Sequence, residues 1–278
     1  LDLDEYGNLL HHVKAVDVLA EMPGGMIRSI GGASEYYLLM EKAAGDDYFM
    51  DLRGFSTKQR LGSSDIKKIK SMAAYLAEIH SAKKDARGLY WRKLRDIIGH
   101  GECLMGVFDT YPDDTLGYED MAWIEKRCVD WRAKLKPLSR RLSQIHGDFH
   151  PGNIWFRGDE DFILLDRSRG PWGEPADDIT ALAINYIFFS LRTHGDVREA
   201  YFEGLRFFFD EYIGRSGDNE LVTVVAPFFA FRAAVVANPL FYPDVSADVR
   251  KQIFRFARNV LEVDNFEVDK VNEYFLEG

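Results

Sequence analysis

The spacing of apolar and polar residues divides the chain into three stretches. Over residues 1–45 the pattern is broken. Leu9, Leu10, Val13, Val16 and Leu19 form a loose helical stripe, closed by Pro23-Gly24-Gly25. Residues 26–30 and 36–40 read as two short strands, turned by Gly31-Gly32-Ala33-Ser34 and able to pair as a hairpin. After a loop-like stretch over residues 52–62, the period becomes helical. Ile66, Ile69, Met72, Leu76 and Ile79 recur every three or four residues, behind Ser63 and Ser64 as caps, and the helix ends near His80-Ser81. Residues 82–116 are less regular, punctuated by Gly99, Gly101, Gly106 and Tyr111-Pro112-Asp113-Asp114. A long helix over 118–143 carries Met121, Ile124, Cys128, Trp131, Leu135 and Leu138 on one side, with Pro137 placed to kink or divide it. Beyond residue 178 the pattern predicts helices over 178–193, 197–213, 220–237 and 246–263, and a short one over 267–276.

Residues 142–178 interrupt this helical series. A turn, His146-Gly147-Asp148-Phe149-His150-Pro151-Gly152-Asn153, runs into the strand Ile154-Trp155-Phe156. A charged break over 157–161 follows, then the apolar run Phe162-Ile163-Leu164-Leu165, which stops at Asp166. A strand, a tight turn and a second strand return Asp166 to the edge where Asn153 stands.

Composition narrows the classes. At 278 residues with 46% apolar residues, including 20 Phe and 13 Tyr, the chain can build a bulky core in one large domain or two modest lobes. A net charge of -10 argues against a nucleic-acid backbone as partner. Cys103 and Cys128 make neither a disulfide framework nor a zinc cluster, and read as unpaired thiols in a reducing compartment. The chain opens Leu1-Asp2-Leu3-Asp4-Glu5 without a basic-then-apolar leader, and its apolar runs are too short to span a bilayer. A cytoplasmic protein without membrane partners is expected.

The chemistry lies in the interruption. Asp148, in a turn, is placed to accept or orient the proton of a substrate hydroxyl. Asp166 offers a carboxylate and Asn153 a neutral oxygen, hard ligands that suit Mg²⁺ and not zinc. His146 and His150 are four apart but in a Gly/Pro-rich turn with no third soft ligand near. His146 therefore reads as a brace for the loop backbone.

The order His146, Gly147, Asp148, His150, Pro151, Asn153 and, after the hairpin, Asp166 resembles the catalytic loop and metal-binding strand of the aminoglycoside phosphotransferase family. That family includes choline- and ethanolamine-kinase-like enzymes and has the protein-kinase-like fold. The resemblance implies Asp148 and His146 as catalytic residues, Asn153 and Asp166 as ligands of Mg²⁺ on ATP, and His150 and Asp178 as structural braces. Asp178 closes a Gly-x-Pro-x-x-Asp element made of Gly173, Pro175 and Asp178, and would cap the following helix and brace the loop. The backbone of Met40, Glu41 and Lys42 would hold the adenine ring, and Leu76-x-x-Ile79-His80 resembles the first long helix of the large lobe.

The fold implied is α/β (α+β): a protein-kinase-like two-lobe fold with a truncated N-terminal β-lobe and hinge over 1–45, and a mostly helical C-terminal lobe over 46–278. No strand–glycine-loop–strand precedes the hinge, and Lys14 sits in a helical pattern, so the phosphate-covering loop and its lysine are missing from this stretch. Two explanations stand: the protein has lost the lid and with it much of its ATP affinity, or further strands precede Leu1, which is the one expected because the metal and catalytic positions are intact. Arg167 either faces the phosphates or turns back to a carboxylate such as Asp177.

The function implied is ATP-dependent transfer of a phosphoryl group to the hydroxyl of a small molecule: an amino sugar, an amino alcohol or a sugar. The alternative is a catalytically impaired kinase-like scaffold or nucleotide-binding module. For a cationic acceptor the candidate contacts are Asp109, Asp113, Asp114, Glu174 and Asp177, with Trp172, Tyr186 and Tyr242.

Overall fold

In the computed structural model the described residues are 16–33, 35, 37 and 39–277. They form two units, one ending at Lys42 and one beginning at Ala43. In the first unit β1 (Leu19–Glu21) pairs antiparallel with β2 (Ile27–Ser29), Leu19 opposite Ser29. Gly24 and Gly25 turn the hairpin at φ of 90° and 82°, a region that glycine enters without a Cβ clash. The hairpin therefore sits earlier than the sequence pattern suggests. Leu19 is in a strand and not a helix, and Tyr37, Leu39 and Met40 are in no strand. Of the expected helical stripe, the described Val16 and Leu19 are in no helix and are largely exposed. Leu9, Leu10, Val13, Lys14, Tyr36 and Leu38 lie outside the described residues.

The second unit begins with β3 (Asp46–Asp47) and α1 (Tyr48–Gly54), whose first turn is capped by Asp47 accepting from the Met50 N–H. Next come α2 (Ser63–Ser81), α3 (Arg87–Gly99), α4 (Leu104–Phe108) and α5 (Tyr118–Leu135). Pro137 does divide the long helix, and the chain continues as a 3-10 turn over Lys136–Arg141. The sequence reading missed helix α3, although its buried residues Tyr90, Leu94, Ile97 and Ile98 recur at helical spacing with Arg92, Lys93 and Arg95 between them.

β4 (Ser143–Gln144) opens the polar interruption and pairs with β7 (Trp172–Gly173) near its end. Between them β5 (Ile154–Phe156) and β6 (Phe162–Leu164) form the expected antiparallel hairpin, extended by β3. Then follow α6 (Pro175–His194), α7 (Glu199–Ser216), α8 (Ala226–Ala237) and α9 (Ala247–Glu262). The helix expected from residue 220 is split, because Pro227 fixes the first turn of α8 and leaves Leu221–Thr223 as a separate 3-10 turn. The last expected helix is 3-10 over Val268–Phe275.

Helices α6 and α8 are buried nearly all round; α8 is apolar but for Arg232, whereas α6 buries Asp177, Asp178, Thr180, Asn185 and Ser190 with its apolar residues. Around α8 the core is aromatic: the Phe229 ring lies 4.8 Å from Phe266 and 5.4 Å from Phe256. Cys103 and Cys128 are buried free thiols. Among the described residues no helix is long and apolar enough to cross a membrane.

One buried cation holds the end of the interruption to this core. Arg141 donates to Glu174 (2.7 and 2.9 Å) and to Asp218 (2.6 and 2.7 Å), and Glu174 also accepts from the Tyr90 hydroxyl at 2.8 Å. Removing the guanidinium strands a buried carboxylate. Arg141→Ala is expected to cost about 3–5 kcal/mol of stability, read from urea denaturation midpoints, whereas Arg140→Ala on the exposed neighbour is expected to change the midpoint little.

Candidate functional site

The residues of the interruption are brought to one edge by backbone pairing. Leu165 N–H donates to Asn153 O at 3.0 Å, continuing the β5–β6 register in which Ile154 faces Leu164. Asp166 is therefore next to the residue paired with Asn153. Its φ of 52° is left-handed, a conformation that Asp tolerates better than most residues, and its Oδ1 accepts from Ser168 N–H at 3.1 Å. These Ser168 hydrogen bonds hold the Asp166 carboxyl below its usual range, against repulsion from Asp148. Asn153 is nearly buried, and its Nδ2 donates to Asp148 O at 3.0 Å, while no described residue donates to its Oδ1.

The loop carrying Asp148 is held from below by Asp178. This fully buried carboxylate accepts from His146 N–H and Gly147 N–H, both at 2.7 Å, and from His80 Nε2 at 3.1 Å. His80 Nδ1 is in turn 2.8 Å from the Tyr212 hydroxyl, so α2, α6 and α7 meet at this point. Burial alone pushes the Asp178 carboxyl up, but these donors outweigh it and leave it below the usual range. Gly147 has a φ of 93°, and a Cβ there would lie 3.3 Å from the Arg169 Cβ. Asp178 does not cap α6. That place belongs to Glu174, whose side chain accepts from Ala176 N–H, and Asp178 points out of the first turn toward the loop.

Both histidines turn toward the loop backbone. His146 is fully buried and its Nδ1 accepts from Asp148 N–H at 3.3 Å, which assigns the ring proton to Nε2. Burial pushes its imidazole down, so it is neutral. His150 Nδ1 accepts from Gly152 N–H at 3.1 Å and caps the turn Pro151–Asn153, with its Nε2 3.8 Å from Asp148 Oδ2.

The sequence reading missed Arg232. It is the single charged residue of α8, buried among Phe231 and alanines. A lone cation in an apolar helix is a signal in itself, because it needs partners. Arg232 Nη1 donates to Asp148 Oδ1 at 2.6 Å and Nη2 to Asp177 Oδ1 at 2.6 Å. Burial pushes the Asp148 carboxyl up. Its ion pairs, with Arg232 first and then Arg169 and His150, outweigh this and leave it below the usual carboxylate range. Asp177 is more deeply buried, and burial leaves it raised despite the same arginine.

Other expectations are corrected. Arg167 does not turn back to Asp177: its Nη2 donates to Ile145 O at 2.9 Å, and no ion pair joins it to a carboxylate among the described residues. Of the acidic candidates for a cationic acceptor, Glu174 and Asp177 are buried and matched by Arg141 and Arg232, and Asp113 accepts from the Tyr118 hydroxyl. Tyr186 is fully buried with its hydroxyl 2.9 Å from that of Tyr48. A cavity of about 300 Å³ does open beside the loop, lined by α3 residues and by Ile145, Ser168, Arg169 and Asp177. Met40, Glu41 and Lys42 are exposed and irregular, in the first unit.

The sequence profile of the phosphotransferase enzyme family matches residues 67–213. Among solved structures, an amicoumacin kinase in complex with AMP-PNP, Ca²⁺ and Ami is 16% identical, with a TM-score of 0.50 over 83% of this chain and 67% of that one. A glucosamine kinase in complex with glucosamine, ADP and inorganic phosphate is 16% identical, with a TM-score of 0.43 over 84% and 58%. An ethanolamine kinase of Plasmodium vivax is 12% identical, with a TM-score of 0.44 over 86% and 65%. The chain thus spans between 58% and 67% of the length of these three. No curated protein matches. The profile covers more than half of the chain, from α2 through the Asp148 loop and Asp178 into α7, and on that ground the chain belongs to the phosphotransferase enzyme family.

Proposed function

We propose that the protein transfers the terminal phosphoryl group of Mg·ATP to the hydroxyl of a small molecule. The observation that carries this reading is the β5–β6 register, which puts Asp166 beside Asn153 while Asn153 holds the carbonyl of Asp148. One edge thus presents a carboxylate for the acceptor and two oxygen donors for a metal.

The donor set fits Mg²⁺. Asn153 Oδ1 and the exposed Asp166 carboxylate are hard oxygens, and among the described residues no group of three or more His, Cys, Asp or Glu is gathered to hold a metal. Mg²⁺ needs no such cage, since it keeps water and takes phosphate oxygens as its remaining ligands. When bound, it would neutralise charge on the phosphates. Asp148, held ionised by Arg232, is a weak base that accepts a hydrogen bond from the hydroxyl and aims its oxygen. A loose phosphoryl-transfer transition state asks for alignment more than early proton removal, and suits a carboxylate of this kind. His146 acts through the loop as a positioning residue, with Asp178 and His150 as its braces.

Asp148→Asn keeps the shape and removes the charge. It is expected to lower acceptor-stimulated ADP release by about 10²–10⁴-fold in a coupled assay over a panel of sugars and amino alcohols; activity within a few-fold of wild type would sink the assignment. Asp166→Asn tests the metal separately. Calorimetry should show ATP binding that strengthens with Mg²⁺ in the wild type and loses that dependence in the variant, and Mg²⁺-independent binding in both would count against Asp166 as a ligand.

A further inference from the structure

We infer that Arg232 is the positioning residue of this site: by taking Asp148 Oδ1 it reserves Asp148 Oδ2 for the acceptor hydroxyl. The inference rests on the phosphotransfer reading and names which oxygen does the work and what aims it.

The two oxygens of Asp148 have unequal surroundings. Oδ1 takes a charge-assisted hydrogen bond of 2.6 Å from Arg232 Nη1. Among the described residues the nearest side-chain nitrogens to Oδ2 are His150 Nε2 at 3.8 Å, on an imidazole that burial pushes toward its neutral form, and the Arg169 guanidinium Nη2 at 4.0 Å, both beyond hydrogen-bond length. One oxygen is occupied and the other is flanked by positive charge but unbonded, the state in which it can accept from a hydroxyl.

Arg232 is itself pinned on three sides. Its Nη2 bonds Asp177 Oδ1 at 2.6 Å and reaches Gly147 O at 3.4 Å, and its guanidinium lies 4.7 Å from the centre of the Phe231 ring. Arg169 lies 5.4 Å from the same ring centre, so Phe231 sets the relative position of both cations that face Asp148. Two donors on one planar group span two carboxylates from a fixed stem, and a lysine ammonium has no such fork. The Asp148 carboxylate is thereby fixed in rotation as well as in place, in a cleft where a misplacement of about 1 Å costs roughly 10²-fold in rate.

The test follows Mg·ATP turnover with water alone and with glucosamine, glucose and ethanolamine added as acceptor probes. Arg232→Met is expected to lower kcat by about 100-fold and to leave KM for ATP within about twofold, with Arg232→Lys recovering part of the loss. Free guanidinium at millimolar concentration should restore activity saturably to Arg232→Ala, which a merely structural arginine would not allow. Because Arg232→Met leaves two buried carboxylates unpaired, the double variant Arg232→Met, Asp177→Asn provides a folded alternative, and it should show the same loss of kcat. Wild-type kcat in either variant overturns the role of Arg232 while leaving the phosphotransfer reading intact. A wild type with no Mg·ATP turnover removes that reading and this inference with it.

Discussion

The loop that carries Asp148 depends on the burial of one carboxylate. Asp178 is fully enclosed at the start of α6, where an unpartnered charge would be prohibitive. It is tolerated because three donors converge on it, two from the loop backbone and one from His80. The dependence runs both ways. The loop at His146 and Gly147 has no ladder partner for those amides, and without Asp178 they would be buried donors with nothing to bond. Gly147 can take its left-handed conformation because it lacks a Cβ, and that conformation lets two successive N–H groups reach the same carboxylate.

The same economy recurs with the signs reversed. Arg141 and Arg232 are each buried and each bridge two carboxylates, Glu174 with Asp218 and Asp177 with Asp148. An arginine suits this duty because its planar group carries several donors at fixed angles. Arg141 closes a structural seam between the turn after α5, the first turn of α6 and the segment after α7. Arg232 performs the equivalent operation with one of its two carboxylates in the candidate site. The difference between a seam and a site is that every carboxylate oxygen in the first is bonded, whereas among the described residues Oδ2 of Asp148 and Oδ2 of Asp177 accept from no donor.

Much of this was legible in the sequence, for physical reasons that can be named. The β5–β6 hairpin was visible because short apolar runs broken by a charged turn have few other solutions. The long helices were visible from their period, and Pro137 from its missing N–H. Most of what escaped notice needed tertiary partners. The β1–β2 hairpin is a local choice decided by surroundings that periodicity does not contain, whereas the α3 helix does carry helical spacing and was overlooked among the glycines that follow it. Arg232 stands 84 residues from Asp148, and nothing in the spacing of either announces the other. Glu174 and Asp177 read as acidic walls for a cationic acceptor because a list of carboxylates does not show which are already matched.

The first turn of α6 holds three carboxylates, Glu174 at its cap and then Asp177 and Asp178, and each has a different partner: Arg141, Arg232 and the Asp148 loop. Successive residues on a helix point about 100° apart. A single residue inserted between Glu174 and Asp177 would therefore turn Asp177 to where Asp178 meets the loop, and a deletion would turn Asp178 to where Asp177 meets Arg232, with the other aspartate turned away from its partner. Chain length is fixed here by the angular spacing of charges, so this short stretch tolerates exchange of side chains more readily than any change in their number.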